Sequence, residues 1–302
     1  MKKLLFASLA LAVLNAGAAL AADMPVKARP LPPPVISWTG WYVGVHLGVA
    51  RMHGPSMTYD DLANSPTSAT YFPANVDPSR GGIIGGIHGG FNWQFASNWL
   101  LGIEADFDGT GLRNSEIQRL VCAGASRPQC GGINIVFTDT AFLETKVNWL
   151  ASVRGRLGFI GWNQMLFYAT GGVAWADLDL VAQVDCSNVA PSFCGGGAQR
   201  IRTEVSNTRK GWVVGGGIEY KSGSNWTVGA EYLHYRFDDT NTADGSWFVV
   251  STGAPAPFFE CNVPGQNCAR FTFRDFAIHT FRVRLSYQLD VGKAPVAVMA
   301  KY

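Results

Sequence analysis

Apolar residues recur at every second position through much of the chain after residue 40. In residues 41–49 the odd positions hold Trp, Val, Val, Leu and Val, whereas the even positions hold Tyr, Gly, His and Gly. The same alternation runs through residues 99–107 and 147–159. Because a helix repeats every 3.6 residues and a strand every two, these segments are predicted to be strands with one apolar face.

Eight strands of this kind are predicted, and the connections between them alternate in length. The predicted strands cover residues 40–50, 81–94, 98–108, 145–160, 165–177, 209–221, 225–238 and 276–289. Tight turns rich in Gly, Asn and Ser lie at 96–98, 161–164 and 222–225. The other four connections are several times longer. An antiparallel up-and-down arrangement therefore places all the short turns at one end and all the long loops at the other.

The composition indicates the environment in which these strands fold. Only 15% of the 302 residues are charged, against about 25% in a typical soluble domain. No apolar run of about 18–20 residues follows residue 21, so helical membrane spans are not expected. The sequence predicts an all-β fold, an eight-stranded antiparallel up-and-down transmembrane β-barrel with short periplasmic turns and long extracellular loops. A soluble barrel of the lipocalin type, with its apolar face inward, remains the alternative.

The N-terminal residues predict export from the cytoplasm. Residues 1–21 combine a basic start, an apolar stretch and the small-residue sequence Ala-Leu-Ala, which is typical of a cleaved signal peptide. Further predicted segments are a Pro-rich periplasmic leader at 22–37, the barrel at 38–290 and a C-terminal tail at 291–302. Without Lys2 and Lys3 the chain has 22 basic and 22 acidic residues. This balance argues against a nucleic-acid partner.

Six cysteines fall into three close pairs, each inside a different predicted long loop and none in a predicted strand. An exported protein passes through an oxidising compartment, so three local disulfides are predicted. Closing a loop of about nine residues restricts the unfolded chain and so stabilises the fold by about 2.5 kcal/mol. Zinc is not expected, because the pairs lack CxxC spacing and nearby histidines. The pairs are Cys122 with Cys130, Cys186 with Cys194, and Cys261 with Cys268.

Charged residues on the small-residue face of the strands are predicted to lie in the lumen. Glu104, Arg156, Glu231 and Arg284 lie five or six residues from the short-turn end and should form one layer, with Glu104 beside Arg156 and Glu231 beside Arg284. Charges in a narrow lumen need partners of opposite sign. A structural plug is the preferred interpretation, and a gated, low-conductance pore built from the same pairs is the alternative. The network is expected to extend to Asp106, Arg154, Glu219 and Arg282.

Aromatic residues near the strand ends predict two interfacial girdles. One girdle should lie beside the short turns and the other near the opposite strand ends. The first comprises Phe95, Trp99, Trp162 and Trp226, and the second Phe107, Trp175 and Phe237.

No catalytic, cofactor or metal site is predicted. His46 and His88 should point inward, whereas His234 and His279 should lie toward the loop end. No Ser, His and acid group suited to nucleophilic catalysis is apparent. His53 is expected in the first loop, where a single histidine without a partner is a weak candidate haem ligand.

Four segments resemble the alphaproteobacterial small outer-membrane β-barrel proteins, an immunogenic surface and porin family distantly related to the transmembrane barrel of outer membrane protein A. They are WTGWYVG at 38–44, NWLLGIEAD at 98–106, WLASVRGRLG at 149–158 and WTVGAEY at 226–232. The resemblance spans roughly residues 38–289 and implies a surface-exposed eight-stranded barrel with no catalytic residues to carry over. Such barrels usually end at the last strand, whereas residues 291–302 extend past it.

The expected function is a structural, envelope-integrity role with loops displayed at the cell surface. A porin gated by the lumen ion pairs and a loop-mediated adhesin or ligand binder are the alternatives. Expected partners are outer-membrane lipid, lipopolysaccharide, the barrel-assembly machinery and a possible extracellular ligand. The adhesin hypothesis rests on the loop aromatics Trp247, Phe248, Phe258 and Phe259.

Overall fold

A computed structural model describes the region that holds the predicted barrel. The described residues are 37–54, 57–61, 81–122, 135–161, 164–185, 187, 199–222, 225–238, 241–245, 248–249 and 269–289. The predicted signal peptide, all but the last residue of the predicted leader and the predicted tail lie outside them. Within these ranges, no helix is both long enough and apolar enough to cross a membrane.

All regular elements of the described residues are strands. They are β1 (Gly40–His53), β2 (Met57–Asp61), β3 (Gly81–Gln94), β4 (Trp99–Cys122), β5 (Ile135–Ile160), β6 (Met165–Asp185), β7 (Gln199–Lys221), β8 (Trp226–Phe237), β9 (Asn241–Gly245), β10 (Phe248–Val249), β11 (Ala269–Phe273) and β12 (Phe276–Gln288).

Eight of these strands close into a ring. The antiparallel neighbours run β1, β3, β4, β5, β6, β7, β8 and β12, and β12 pairs with β1 to complete the circle. At this seam Tyr42 faces Gln288 and His53 faces Ala277. Short turns join β3 to β4, β5 to β6 and β7 to β8. The predicted eight-stranded antiparallel barrel is confirmed.

The apolar side of the ring faces outward. Val45 and Leu47 on β1 are 55% and 65% exposed, whereas Arg154, Arg282 and Arg284 are each 1% exposed. A barrel dissolved in water would have the opposite arrangement, so the lipocalin-type alternative is wrong. The outward side chains form an apolar belt suited to lipid, and the polar side chains occupy the lumen.

Four strands are much longer than predicted. The strands β4 to β7 contain 24, 26, 21 and 23 residues, whereas about 9–11 residues suffice to cross a membrane. Their predicted ends near 108, 145, 177 and 209 were wrong. Beyond the belt these strands form an extended wall with polar residues such as Arg113 and Lys146 outside and Leu112, Leu178 and Leu180 buried inside.

A small second sheet packs at the loop end of the lumen. β11 lies between β2 and β9 in a three-stranded antiparallel sheet. Its Phe271 and Phe273 are fully buried in one apolar cluster with Leu233, Tyr235 and side chains of the extended wall. The loop end of the lumen is therefore filled by apolar side chains.

The cysteine prediction needs one correction. Cys122 is the last residue of β4, although every cysteine was predicted to lie outside the strands. The pairing cannot be followed further in the structure, because the side chain of Cys122 and the whole of Cys130, Cys186, Cys194, Cys261 and Cys268 lie outside the described part. The three disulfides stay a prediction.

Candidate functional site

The middle of the lumen holds a layer of charged side chains supplied by five strands. β4 and β8 provide carboxylates, β5 and β12 provide guanidinium groups, and β7 provides one further carboxylate. Every member is buried, and each contacts at least one member of opposite charge. The layer comprises Glu104, Asp106, Asp108, Glu219 and Glu231 with Arg154, Arg156, Arg282 and Arg284.

Glu104 joins three arginines. Its Oε1 accepts a hydrogen bond from Arg154 Nη2 at 2.5 Å, and its Oε2 accepts from Arg156 Nη1 at 3.2 Å and from Arg284 Nη2. The Tyr42 hydroxyl also donates to Glu104 Oε2, at 2.7 Å. Removing this one carboxylate would leave three guanidinium groups short of a partner.

Glu231 is the matching centre on the other side of the lumen. It accepts hydrogen bonds from Arg154 at 3.0 Å, Arg282 at 2.6 Å and Arg284 at 2.8 Å. The Tyr168 hydroxyl donates to the same carboxylate at 3.0 Å. Arg154 and Arg284 contact both glutamates, so they connect opposite walls of the barrel.

The structure brings the four predicted layer residues together, with a different register from the one expected. Glu104 faces Arg154 across the strands, and Arg156 faces Gly102. Glu231 likewise faces Arg282 rather than Arg284. Arg156 and Arg284 reach the carboxylates diagonally, as long side chains can between neighbouring strands.

The phenol rings of two tyrosines complete the layer. The Arg156 guanidinium lies 4.0 Å from the ring centroid of Tyr168 and 5.6 Å from that of Tyr42. A guanidinium over an aromatic face gains a cation–π contact that strengthens where water is excluded. These rings therefore hold Arg156 in place in addition to Glu104 and Glu219.

A chain of hydrogen bonds joins a serine and two histidines to Asp108 of this layer. His88 Nε2 is 2.8 Å from Ser286 Oγ, and the Nδ1 atoms of His88 and His46 are 3.0 Å apart. His46 Nε2 contacts Asp108 Oδ1. No Ser–His–acid group was expected from the sequence, whereas the register of β1, β3, β4 and β12 brings these four side chains together.

The cavity beside this hydrogen-bonded chain is small. The space next to Ser286 has a volume of about 10 Å³ and is lined by Trp38, Tyr42 and Asn92, among others. That volume suits a single water molecule. These hydrogen bonds are therefore suited to satisfying polar atoms buried in the lumen.

Apolar side chains close the lumen on both sides of the charged layer. Toward the short turns, Trp38, Leu100, Ile160, Leu166 and Tyr168 form one buried cluster. Toward the loops lies the larger cluster that includes Phe271 and Phe273.

The outer surface carries aromatic residues at both edges of the belt. At the short-turn edge, Trp41 packs on Phe91 at 5.2 Å, Trp99 on Phe159 at 5.4 Å and Trp226 on Tyr287 at 5.0 Å between ring centroids. Phe95, which is 46% exposed, lies at the same edge as predicted. Trp162 lies outside the described residues.

The predicted girdle at the loop-side edge is only partly correct. Phe107 is 51% exposed on the outer face, and Trp175 is half-buried. Phe237 was predicted to belong to this girdle, but it is fully buried in the lumen and stacks on Phe276 at 4.7 Å.

Histidines also cluster on the outer face near the loop-side edge of the belt. His53 belongs to β1 rather than to the first loop. Its ring centroid lies 5.3 Å from that of His279, which lies 4.6 Å from that of His234. The expectation that His53 has no histidine neighbour was therefore wrong.

Comparison with known proteins agrees with this architecture. Residues 6–254 match the outer membrane protein beta-barrel domain. The 31 kDa outer-membrane immunogenic protein of Brucella melitensis is 32% identical over 81% of this chain and 90% of its own length. The 22 kDa outer membrane protein of Rhizobium leguminosarum is 26% identical over 75% of each chain.

Among solved structures, the outer membrane protein OprG from Pseudomonas aeruginosa aligns with a TM-score of 0.40 and 11% identity, over 83% of this chain and 97% of its own. The relatives from Brucella and Rhizobium are named as outer-membrane proteins, the former also as immunogenic. This chain is an outer-membrane protein, and it belongs to the outer membrane protein beta-barrel domain family.

Proposed function

We propose that this protein is a non-conducting barrel that contributes to envelope integrity and presents its loop end to the outside of the cell. Occlusion of the lumen at three levels supports this function. The charged layer fills the middle, Phe271 and Phe273 lie on the loop side, and Leu100 and Leu166 lie on the short-turn side. An eight-stranded barrel has interior space for little more than side chains. The role includes no catalytic step and no cofactor.

Single-channel recording tests this function directly. The protein is purified in detergent, its folding is checked by the change in gel mobility on heating, and it is then added to a planar bilayer. We expect insertion without discrete current steps. Discrete openings whose amplitude follows the salt concentration would contradict the proposal and favour the low-conductance porin.

A double variant separates a plug from an ionic gate. If the ion pairs gated a pore, Glu104→Gln combined with Glu231→Gln would change the bilayer conductance, because each carboxylate holds three arginines in the lumen. Glu144→Gln is the matched control, since Glu144 pairs with Arg113 at 2.8 Å outside the lumen. A folded double variant that stays silent would exclude the gate.

Surface display is the second part of the proposal, and the extended wall supports it. Above the belt, the polar outer face of β4 to β7 forms a cleft of about 510 Å³. Hydrogen bonds from Ser206 and Asn148 hold the pKa of Asp179 in this cleft below its usual range. A solvated, charged surface of this kind is suited to contact with an extracellular ligand. The loop aromatics at 244–262, which motivated the adhesin hypothesis, lie outside the described side chains.

Epitope insertion tests which end of the barrel faces out. One variant carries a peptide tag within residues 188–198 and the other carries the same tag in the turn at 222–225. We expect a tag antibody to stain intact cells only for the first variant, and to stain both after the outer membrane is opened. Staining of intact cells through the 222–225 tag would invert the proposed orientation.

A further inference from the structure

A basic and aromatic cluster on the outer face takes no part in the lumen network. It consists of Arg51 and His53 on β1, His279 on β12, and His234 on β8. All four side chains lie on the outward-facing positions of their strands. We refer to these four residues as the histidine cluster.

Strand pairing places the cluster on three adjacent strands. Arg51 faces His279, and His279 faces His234. The ring of His279 contacts the rings of both other histidines, and its Nδ1 lies 2.6 Å from the Tyr232 hydroxyl. The four groups therefore form one continuous surface rather than separate sites.

The cluster lies immediately beyond the apolar belt. On β1 the last exposed apolar residue before Arg51 is Val49, and on β12 Phe281 comes two residues after His279. Val49 and Phe281 are 61% and 53% exposed. Side chains at this height meet the boundary between acyl chains and lipid headgroups. With the loop end outside, this is the headgroup region of the outer leaflet.

Protonation of the imidazoles would bring positive charges together, because His279 faces both Arg51 and His234 on the neighbouring strands. In the described part of the chain, charged groups near the cluster include Arg236, two residues after His234 on β8, and the carboxylates Asp238 and Asp275. Arg236 already engages both carboxylates, with Asp238 at 2.8 Å. Like charges on facing strand positions repel each other. An anion from outside the protein would relieve that repulsion.

A metal ion does not fit the same groups. In the described part of the chain, no three His, Cys, Asp or Glu side chains are arranged to hold one. A phosphate group fits better, because several nitrogen donors can share its oxygens and the bonds are strengthened by charge. Trp212 packs 5.6 Å from His234 between ring centroids, and Tyr232 lies beside His279. Such aromatic side chains favour the same interfacial depth.

We propose that the histidine cluster binds the phosphate group of an outer-leaflet lipid. The lipid chains would lie along the apolar belt below the cluster, and the phosphate would accept hydrogen bonds from Arg51 and the protonated imidazoles. Burial, the neighbouring histidines and Arg51 hold the pKa of His279 below its ordinary value. A bound phosphate would stabilise the protonated imidazole, so binding would be stronger in mildly acidic medium. This inference does not depend on whether the lumen conducts.

Lipid binding is measured on the full-length folded barrel in phosphatidylcholine nanodiscs. The probe is diphosphorylated lipid A, compared with the same lipid after its phosphates are removed, and bound lipid is counted by native mass spectrometry. We expect His234→Gln with His279→Gln to weaken binding of the phosphorylated lipid about tenfold, as loss of charge-assisted hydrogen bonds predicts. The single variant His234→Gln should show a smaller loss. Arg113→Gln, on another part of the outer wall, should bind like the natural protein.

Any of the following results would overturn the inference. The first is equal affinity of the natural protein and the double variant, with folding verified by gel mobility. The second is equal affinity for phosphorylated and dephosphorylated lipid, or the same affinity at pH 5.5 and pH 8. The third is complete displacement of the lipid by an equal concentration of inorganic phosphate, which would make the cluster a site for soluble anions. Loss of the pH difference in the double variant alone would support the histidine assignment.

Discussion

Replacing Glu104 by Gln should destabilise the barrel far more than the small change in size suggests. The carboxylate accepts hydrogen bonds from Arg154, Arg156 and Arg284 and from the Tyr42 hydroxyl. A glutamine has one acceptor oxygen, and its amide group points N–H donors at guanidinium groups that are donors themselves. The three arginines stay charged and buried with one fewer counter-charge.

Breaking a buried ion pair by removing one partner costs about 3–5 kcal/mol. That range corresponds to about two to almost four powers of ten in the unfolding equilibrium constant. The free energy of unfolding is measured by urea titration of the protein in lipid vesicles, followed by tryptophan fluorescence and by gel mobility. Both probes should report the same large shift toward lower urea.

Arg113→Gln provides the comparison for this experiment. The side chain of Arg113 is 65% exposed, and its contact with Glu144 at 2.8 Å lies outside the lumen. Exposed ion pairs contribute about 0–1 kcal/mol, so this variant should unfold almost like the natural protein. The reasoning is refuted if Glu104→Gln costs no more free energy than Arg113→Gln.

Three further changes examine other parts of the barrel, each by the temperature or urea concentration at which gel mobility changes. Phe271→Ala should cost about 3–5 kcal/mol, because it empties a fully buried site in the loop-end cluster; a loss below 1 kcal/mol would mean that β11 does not close the lumen. Gly48→Ala should prevent normal closure of the barrel, because a new Cβ would lie 2.0 Å from the backbone oxygen of Phe281. Gly109→Ala should be tolerated, because the nearest atom to its new Cβ would be 3.9 Å away. Equal behaviour of the two variants would contradict this reasoning. Val45→Arg should cost about 2–4 kcal/mol in lipid, and an unchanged stability would place Val45 outside the membrane.

Alternation of apolar residues identified the membrane-crossing part of each strand because lipid requires apolar side chains on the outside. Above the belt the outside meets water, and Arg113 and Lys146 replace the apolar residues there. The buried positions of the same strands, such as Leu112 and Leu180, then carry the apolar pattern instead. Two patterns of opposite phase in one strand read as a loop, which is why the extended wall was missed.

The charged layer was foreseeable as a set of residues, apart from Asp108, but not as a set of contacts. Alternation alone places Glu104 and Glu231 in the lumen, and burial of charge requires partners of opposite sign. Which arginine meets which glutamate depends on the stagger between strands, and counting residues from the turns ignores that stagger. The contact between His46 and His88, which lie 42 positions apart in the sequence, was not foreseen for the same reason. Phe237, by contrast, was predictable, since it shares the odd-numbered face of β8 with Glu231.

The seam between β1 and β12 makes assembly an all-or-none event. Gln288 donates a hydrogen bond to the carbonyl oxygen of Thr39, 249 positions earlier, so the ring cannot close until nearly the whole chain has been synthesised and exported. Until then β1 and β8 each expose a row of unpaired backbone groups, which lipid cannot satisfy and which other chains can capture. A chain that stops before β12 would therefore be an open sheet prone to aggregation rather than a weakened barrel.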